Sequence, residues 1–310
     1  MDFALSLPPL PDHSDAVTAA QAAERAGLRS FWLYDMHRAR PDPYPLLALV
    51  AAATDRISLG PCVTNPVTRS PLVTAQMMLS LQRISGGRAV LGIGRGDVPV
   101  KGMGCVPASL ADLRAAIELF HAEADRVDAF WRPAVPVPVY VGTYGPLGLR
   151  MAGQMADGVI LQAAHPELLA WARDRVLEGA VAAGRDPAQI WLQCAAPLAV
   201  DLSDAQTVAE TRWFARLIAP DIAAIVLRNA EGLPGLVGWA RRWHEGDAEH
   251  RDALADEMCT AFALAGSAQT CRARLGEMER LGIDEMNVFS MGDWRRDLEA
   301  IARLRSMPSS

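Results

Sequence analysis

Residues Leu59 to Asp97 read LGPCVTNPVTRSPLVTAQMMLSLQRISGGRAVLGIGRGD. The segment opens as a short apolar strand, breaks at Gly60-Pro61 and Asn65-Pro66, and continues as a helix with apolar residues at helical spacing. A second apolar run follows and ends in Gly94-Arg95-Gly96-Asp97. This is one strand–helix–strand unit, with Thr64-Asn65 at the end of its first strand and a glycine-rich turn at the end of its second.

The same alternation extends in both directions. Apolar, β-rich runs at Phe3–Leu7, Ser30–Tyr34, Ile57–Val63, Ala89–Ile93, Val137–Gly142, Gly158–Leu161, Ile190–Leu198 and Met286–Phe289 predict strands. Amphipathic stretches at His13–Ala26, Tyr44–Thr54, Val73–Ile84, Leu110–Ala124, Leu147–Met155, Glu167–Ala183, Ala268–Leu281 and Asp293–Leu304 predict helices. Near-continuous apolar strands suit a parallel sheet covered on both faces. Eight strands in strict β–α alternation over 310 residues predict an α/β fold of the (β/α)8 TIM-barrel type. A doubly wound sheet is the competitor, but no strand-Gly-x-Gly-x-x-Gly-helix unit stands near the N-terminus. One mostly helical stretch, about 202–262, interrupts the rhythm before the last strand. With no linker or low-complexity segment, the expectation is one barrel domain, 1–310, carrying that helical insertion.

Composition narrows the function classes. Charged residues are 21% and the net charge is −6, without a basic stripe, which argues against a nucleic-acid partner. No apolar run is long enough to span a bilayer, and the N-terminus carries an early Asp rather than a basic region followed by an apolar one, so neither a membrane nor a secretory route is expected. The five cysteines are scattered and never paired as CxxC, which predicts a reducing, cytoplasmic compartment and no thiolate metal site. No spacing of His, Asp, Glu or Cys suggests a metal site, and no paired carboxylates suggest a hydrolase.

In a parallel barrel the site lies at the C-terminal ends of the strands. The groups that follow them are Asp35-Met36-His37, Cys62-Val63-Thr64-Asn65-Pro66, Gly94-Arg95-Gly96-Asp97, Gly142-Thr143-Tyr144-Gly145-Pro146, and Gln162 with His165. Asp35 and His37 can each carry a proton near neutral pH, or cap a turn in a solvated loop. Thr64 and Asn65 offer a hydroxyl and an amide, although Asn-Pro is also a plain turn signal. The glycines of Gly94–Asp97 let backbone approach a ligand, Arg95 can pair with an anion, and Asp97 can accept a hydrogen bond. Thr143 to Pro146 end a strand and begin a helix, so their amides make an anion site suited to a phosphate, or else a well-capped helix and nothing more.

The pieces SFWLYDMH, TDRISLGPCVTNPVTRSPLVTA, SGGRAVLGIGRGD, PVYVGTYGPLGLRMAGQMADGVIL and AFALAGSAQTCRARLGEMERLGIDEMNVF, in that order, resemble the bacterial-luciferase-like family. The branch most alike in these motifs is that of methylenetetrahydromethanopterin reductase. The resemblance implies a (β/α)8 barrel, a homodimer, and hydride transfer with the deazaflavin coenzyme F420, or alternatively FMN. It implies a non-prolyl cis peptide after the third strand, here Cys62–Val63, against which the ring rests. It places Asp35 near the ring, Thr64 and Asn65 in contact with it, Gly96 and Asp97 in the loop beside it, and Thr143, Tyr144, Gly145 and Pro146 at the phosphate, with Gly142 also counted among the cofactor-binding residues. The loop after Asp97, VPVKGMG, departs from the Ser- and His-containing loop common in relatives, so the resemblance does not extend to the substrate. A small-molecule C=N or C=C acceptor fits as well as methylenetetrahydromethanopterin. An FMN-dependent monooxygenase and a non-catalytic cofactor-binding barrel are the alternatives.

Overall fold

The computed structural model describes residues 1–10, 12–37 and 39–308. The chain divides into two compact units.

The first unit comprises Asp2–Thr143 with Ala156–Val159. In chain order it holds β1 (Asp2–Leu7), α1 (His13–Arg25), β2 (Ser30–Leu33), α2 (Pro43–Ala53), β3 (Ser58–Pro61), α3 (Pro71–Ile84), β4 (Leu91–Gly94), α4 (Asp97–Gly102), α5 (Leu110–Arg126) and β5 (Val139–Gly142). The helices begin where local chemistry starts them. Asp12 caps α1, Asp42 caps α2 ahead of Pro43, and Ser109 with Asp112 forms a full capping box on α5. Two side chains fix the entries to β3 and β4. Glu24 Oε1 accepts from the amides of Asp55, Arg56 and Ile57 at 3.0, 2.6 and 3.0 Å. The Arg88 guanidinium donates to the carbonyls of Ala51, Thr54, Ile57 and Ser85 and to Thr54 Oγ1. That set places the C-terminal turns of α2 and α3 in register with the strands that follow.

The second unit comprises Tyr144–Met155, Ile160–Ser310 and Met1. It holds α6 (Pro146–Met155), most of β6 (Gly158–Gln162), α7 (Pro166–Ala182), β7 (Trp191–Ala196), β8 (Leu198–Val200), α8 (Asp204–Arg228), α9 (Val237–Glu245), α10 (Ala248–Glu257), α11 (Cys259–Phe262), β9 (Leu264–Gly266), α12 (Ala268–Arg280), β10 (Glu285–Phe289) and α13 (Trp294–Ser306). Its buried polar cluster joins β7 to β10. Gln193 Nε2 and Trp191 Nε1 donate to Glu285 Oε2, and Asn287 Nδ2 donates to Gln193 Oε1.

Eight strands form one sheet in the order β3-β2-β1-β10-β7-β6-β5-β4. Sequence neighbours are therefore sheet neighbours, and the two terminal strands, β3 and β4, are bridged in parallel at Leu59–Ala89 and Thr64–Ile93. Pairing is parallel, as in β1–β2 (Leu5 opposite Phe31) and β4–β5 (Ile93 opposite Val141). The fold is the (β/α)8 barrel expected from the alternation, with helices α8 to α11 inserted before the last strand of the sheet. Two features differ from the sequence reading. Leu198–Val200 and Leu264–Gly266 form a separate two-stranded parallel pair on either side of the insertion. Asp97 to Gly102, read as a loop, is a short helix. Both elements are too short for periodicity to register them.

Candidate functional site

The ends of β2, β3 and β4 all lie in the first unit and bring together much of what the sequence singled out. Asp35 follows β2 and is 4% exposed. Thr64, fully buried, donates from Oγ1 to Asp35 Oδ2 at 2.7 Å. Burial pushes the Asp35 carboxyl above the ordinary carboxylate range, against the opposing pull of the Thr64 hydrogen bond and the Arg69 cation. Asp42 adds to the rise and His37 opposes it. His37 itself is exposed, in a turn two residues beyond Asp35. Asp35 and His37 are therefore neighbours with different surroundings, one enclosed and one in solvent.

The peptide bond Cys62–Val63 is cis, at the position the resemblance implied. Beyond it the chain rejoins the sheet: Thr64 N donates to Gly92 O and Gly94 N donates to Thr64 O, both at 2.9 Å. The Val63 side chain fills the space left by missing side chains, since a Cβ at Gly94 or Gly142 would come within 3.0 or 3.2 Å of its methyl groups. Cys62 is buried and its amide donates to Leu33 O.

Asn65 is 1% exposed and uses its two ends differently. Its Oδ1 accepts from Val67 N, Thr68 N and Thr68 Oγ1, which shapes the turn. Its Nδ2 is buried with no hydrogen-bond partner. Gly96 lies against Asn65: it has φ 85° and caps α4, and a Cβ there would come within 2.7 Å of Asn65 and 2.6 Å of Val100. Only glycine fits both constraints. Asp97 opens α4 and pairs with Lys101 at 3.2 Å. Arg95, read as able to pair with an anion, donates from Nε to Ala108 O at 2.5 Å and accepts the Ala108 amide on its own carbonyl, tying down the segment before α5.

Three groups that sequence reasoning did not single out stand beside Asp35. Asp42 accepts the Tyr44 amide on Oδ1 and Arg69 Nη2 on Oδ2, at 2.9 and 2.7 Å. The Arg69 guanidinium lies over the Tyr44 ring, 4.5 Å from its centre. The Tyr44 hydroxyl is buried without a partner, and Thr64, Asp35 and Arg69 are among the groups around it. The available signal was Asp42-Pro43-Tyr44, a capped helix start, while Arg69 was hidden in a turn-like run.

Of the Gly142–Pro146 segment, Gly142 ends β5 and Pro146 begins α6, as expected. In the second unit Tyr144 Oη donates to Gln162 Oε1. His165 precedes α7 with its Nδ1 buried and unpartnered, and burial lowers its pKa. Among the described residues, no group of three or more His, Cys, Asp or Glu could hold a metal ion, and no helix is long and apolar enough to cross a membrane.

The family described as luciferase-like monooxygenase matches residues 3–285. The chain belongs to that family. It is 31% identical over 287 residues to a 5,10-methylenetetrahydromethanopterin reductase of Methanolobus tindarius, covering 86% of this chain and 87% of the relative. It is 33% identical over 230 residues to an F420-dependent glucose-6-phosphate dehydrogenase of Kineococcus radiotolerans, covering 64% of this chain and 67% of the relative. The solved coenzyme F420-dependent tetrahydromethanopterin reductase of Methanopyrus kandleri superposes with a TM-score of 0.76 at 24% identity, covering 97% of each chain. At that identity the superposition speaks for the luciferase-like barrel alone.

Proposed function

We propose that this luciferase-like barrel is a coenzyme F420-dependent oxidoreductase acting on a small organic substrate. The observation that carries the reading is the enclosed Asp35–Thr64 pair, with the buried Asn65 Nδ2 next to it in the chain left without a partner. A buried amide donor of this kind is expected to find an acceptor in a ligand, and a planar heterocycle with ring carbonyls supplies one. When bound, the deazaflavin exchanges a hydride with a substrate carbon.

The chain's own residues supply the rest. The backbone and side chains of Cys62, Val63 and Thr64 would support the ring, and Asn65 Nδ2 would donate to one of its acceptors. The Gly96 turn and Asp97 would border it. The Gly142–Thr143–Tyr144–Gly145–Pro146 segment would receive a phosphate through backbone amides. Asp35, whose burial favours the protonated carboxyl, would hold the proton that balances hydride transfer to a C=N or C=C bond, and Thr64 would orient it. His37, at the surface, would exchange that proton with solvent.

The reading is tested by following oxidation of reduced F420 with cyclic imines and activated alkenes, under argon and in air. Turnover that is indifferent to oxygen supports it. Oxygen consumption with reduced FMN, and none with F420, would overturn it.

We further propose a homodimer and a cytoplasmic setting. The first is supported by exposed Leu49, Val67, Leu72 and Val73 on and between α2 and α3, and the second by five free cysteines. The expectation of one barrel domain over 1–310, with its excursion at about 202–262, stands as a proposal that a single cooperative unfolding transition would support.

A further inference from the structure

Among the described residues of the first unit, three buried side-chain atoms have no hydrogen-bond partner: Tyr44 Oη, Asn65 Nδ2 and Arg69 Nε. They come from two short segments, the start of α2 and the turn after β3. Asp42 joins the segments, accepting the Tyr44 amide on Oδ1 at 2.9 Å and Arg69 Nη2 on Oδ2 at 2.7 Å. The Arg69 guanidinium is held over the Tyr44 ring, 4.5 Å from its centre. Asn65 Oδ1 accepts from Val67 N, Thr68 N and Thr68 Oγ1 and shapes the turn that delivers Arg69. That turn follows directly on Thr64, the hydrogen-bond partner of Asp35. Tyr44 is 3% exposed. A ring needed only for packing would be served by phenylalanine, without a buried hydroxyl to satisfy.

Tyr44 Oη and Arg69 Nε each carry a hydrogen to donate. An oxygen that accepts two hydrogen bonds of ordinary length joins donors up to roughly 5.5 Å apart, a span on the scale of this stack. Charge decides what kind of oxygen it is. Arg69 is already paired with Asp42, so an incoming anion would be buried without a cation of its own, at a cost that a neutral carbonyl does not carry. We propose that Tyr44 Oη and Arg69 Nε form a donor pair that binds a neutral carbonyl oxygen of the substrate. The inference rests on the reading of these strand ends as the site of an F420-dependent oxidoreductase. It narrows the substrates to compounds whose C=N or C=C bond is accompanied by such a carbonyl. Asn65 Nδ2, the third unpartnered atom, is left to the cofactor. Because Asp42 fixes both donors before any ligand arrives, little ordering opposes binding.

The test uses carbon NMR of the full chain labelled at tyrosine Cζ. The chain holds four tyrosines, and the Tyr44 signal is the one lost in Tyr44→Phe. Cyclohexenone, cyclohexene and cyclohexenecarboxylate are titrated in separately, with and without oxidised coenzyme F420. Cyclohexenone is expected to move the Tyr44 signal saturably, cyclohexene to leave it in place, and the carboxylate to bind more weakly than the ketone. Tyr44→Phe and Arg69→Lys are each expected to raise the cyclohexenone Kd, read from ligand line widths, by roughly five- to tenfold, the loss of one hydrogen bond. The Kd for F420 is expected to change less than about twofold. Tyr44→Phe is expected to unfold at the same denaturant concentration as wild type or a higher one, because the hydroxyl it removes has no partner within the protein. A Tyr44 signal moved by none of the three probes, or equally by cyclohexene, would overturn the proposal and leave water as the partner of these donors. Tighter binding of the carboxylate, or a clear loss of stability in Tyr44→Phe, would overturn it too. Cyclohexenone binding at Tyr44 in a protein that binds no F420 would overturn the functional reading and leave the donor pair standing. F420-dependent turnover with an unmoved Tyr44 signal would do the reverse.

Discussion

The Thr64 hydroxyl donates to Asp35 Oδ2 at 2.7 Å, joining the end of β3 to the end of β2 by a buried hydrogen bond. The bond links the turn that carries the cis peptide to the most enclosed acid at these strand ends. Replacing Asp35 by Asn keeps the shape and removes the titrating proton. Asp35→Asn is expected to lower kcat by about a hundredfold or more, the usual yield of a positioned acid or base, with the Kd for F420 changed little. Steady-state kinetics and fluorescence titration of the same preparations check this.

Thr64→Val removes a hydrogen bond that favours the ionised carboxylate. The Asp35 pKa, already raised by burial, is expected to rise further, so the kcat limb governed by this group moves to higher pH. A profile of kcat against pH for wild type and variant reads the shift, and an unchanged limb would remove Asp35 from its assignment.

Gly92 and Gly102 make a contrast in stability. A Cβ on Gly92 would lie 2.2 Å from the Pro61 carbonyl oxygen, a clash with backbone that side-chain motion cannot relieve. A Cβ on Gly102 would meet nothing within 4 Å. Gly92→Ala is expected to cost about 3 kcal/mol or more, and Gly102→Ala to stay within about 0.5 kcal/mol of wild type. Chemical denaturation of the two variants measures the difference.

These glycines also mark how far the sequence could be read. The eight strands were legible because each is an apolar run bounded by turn residues, and the helices because their apolar residues recur at helical spacing. The β8–β9 pair was not legible, since three-residue strands carry no period. Asp35, Thr64 and Asn65 were singled out because a parallel barrel gathers its strand ends at one mouth. The tie from Arg95 Nε to Ala108 O, thirteen residues away, was not legible because nothing local shows it. Asp42, Tyr44 and Arg69 were missed for a related reason. Their relation is a contact between two turns, made only when β2 and β3 lie side by side.

Asp297 supplies a separate dependence on pH, within the second unit. It lies in the first turn of α13, 5% exposed, and burial raises its pKa from 3.8 to about 6 against the pull of Ser290 and Arg296. The folded state then binds the proton more tightly than the unfolded chain, so stability falls as pH rises from about 4 to about 6. The loss is roughly 2 kcal/mol over that interval and approaches about 3 kcal/mol once the pH is above both values. Asp297→Asn is expected to flatten this part of the stability curve, as denaturant unfolding at several pH values would show.

A deazaflavin held at these strand ends is read out by binding to the purified protein. Purified protein is titrated with coenzyme F420 and, separately, with FMN, following fluorescence. The expected result is saturable binding of F420 with at least tenfold preference over FMN, weakened in Asn65→Ala and in Gly96→Val. Preference for FMN, or binding of F420 that both variants leave unchanged, would contradict it.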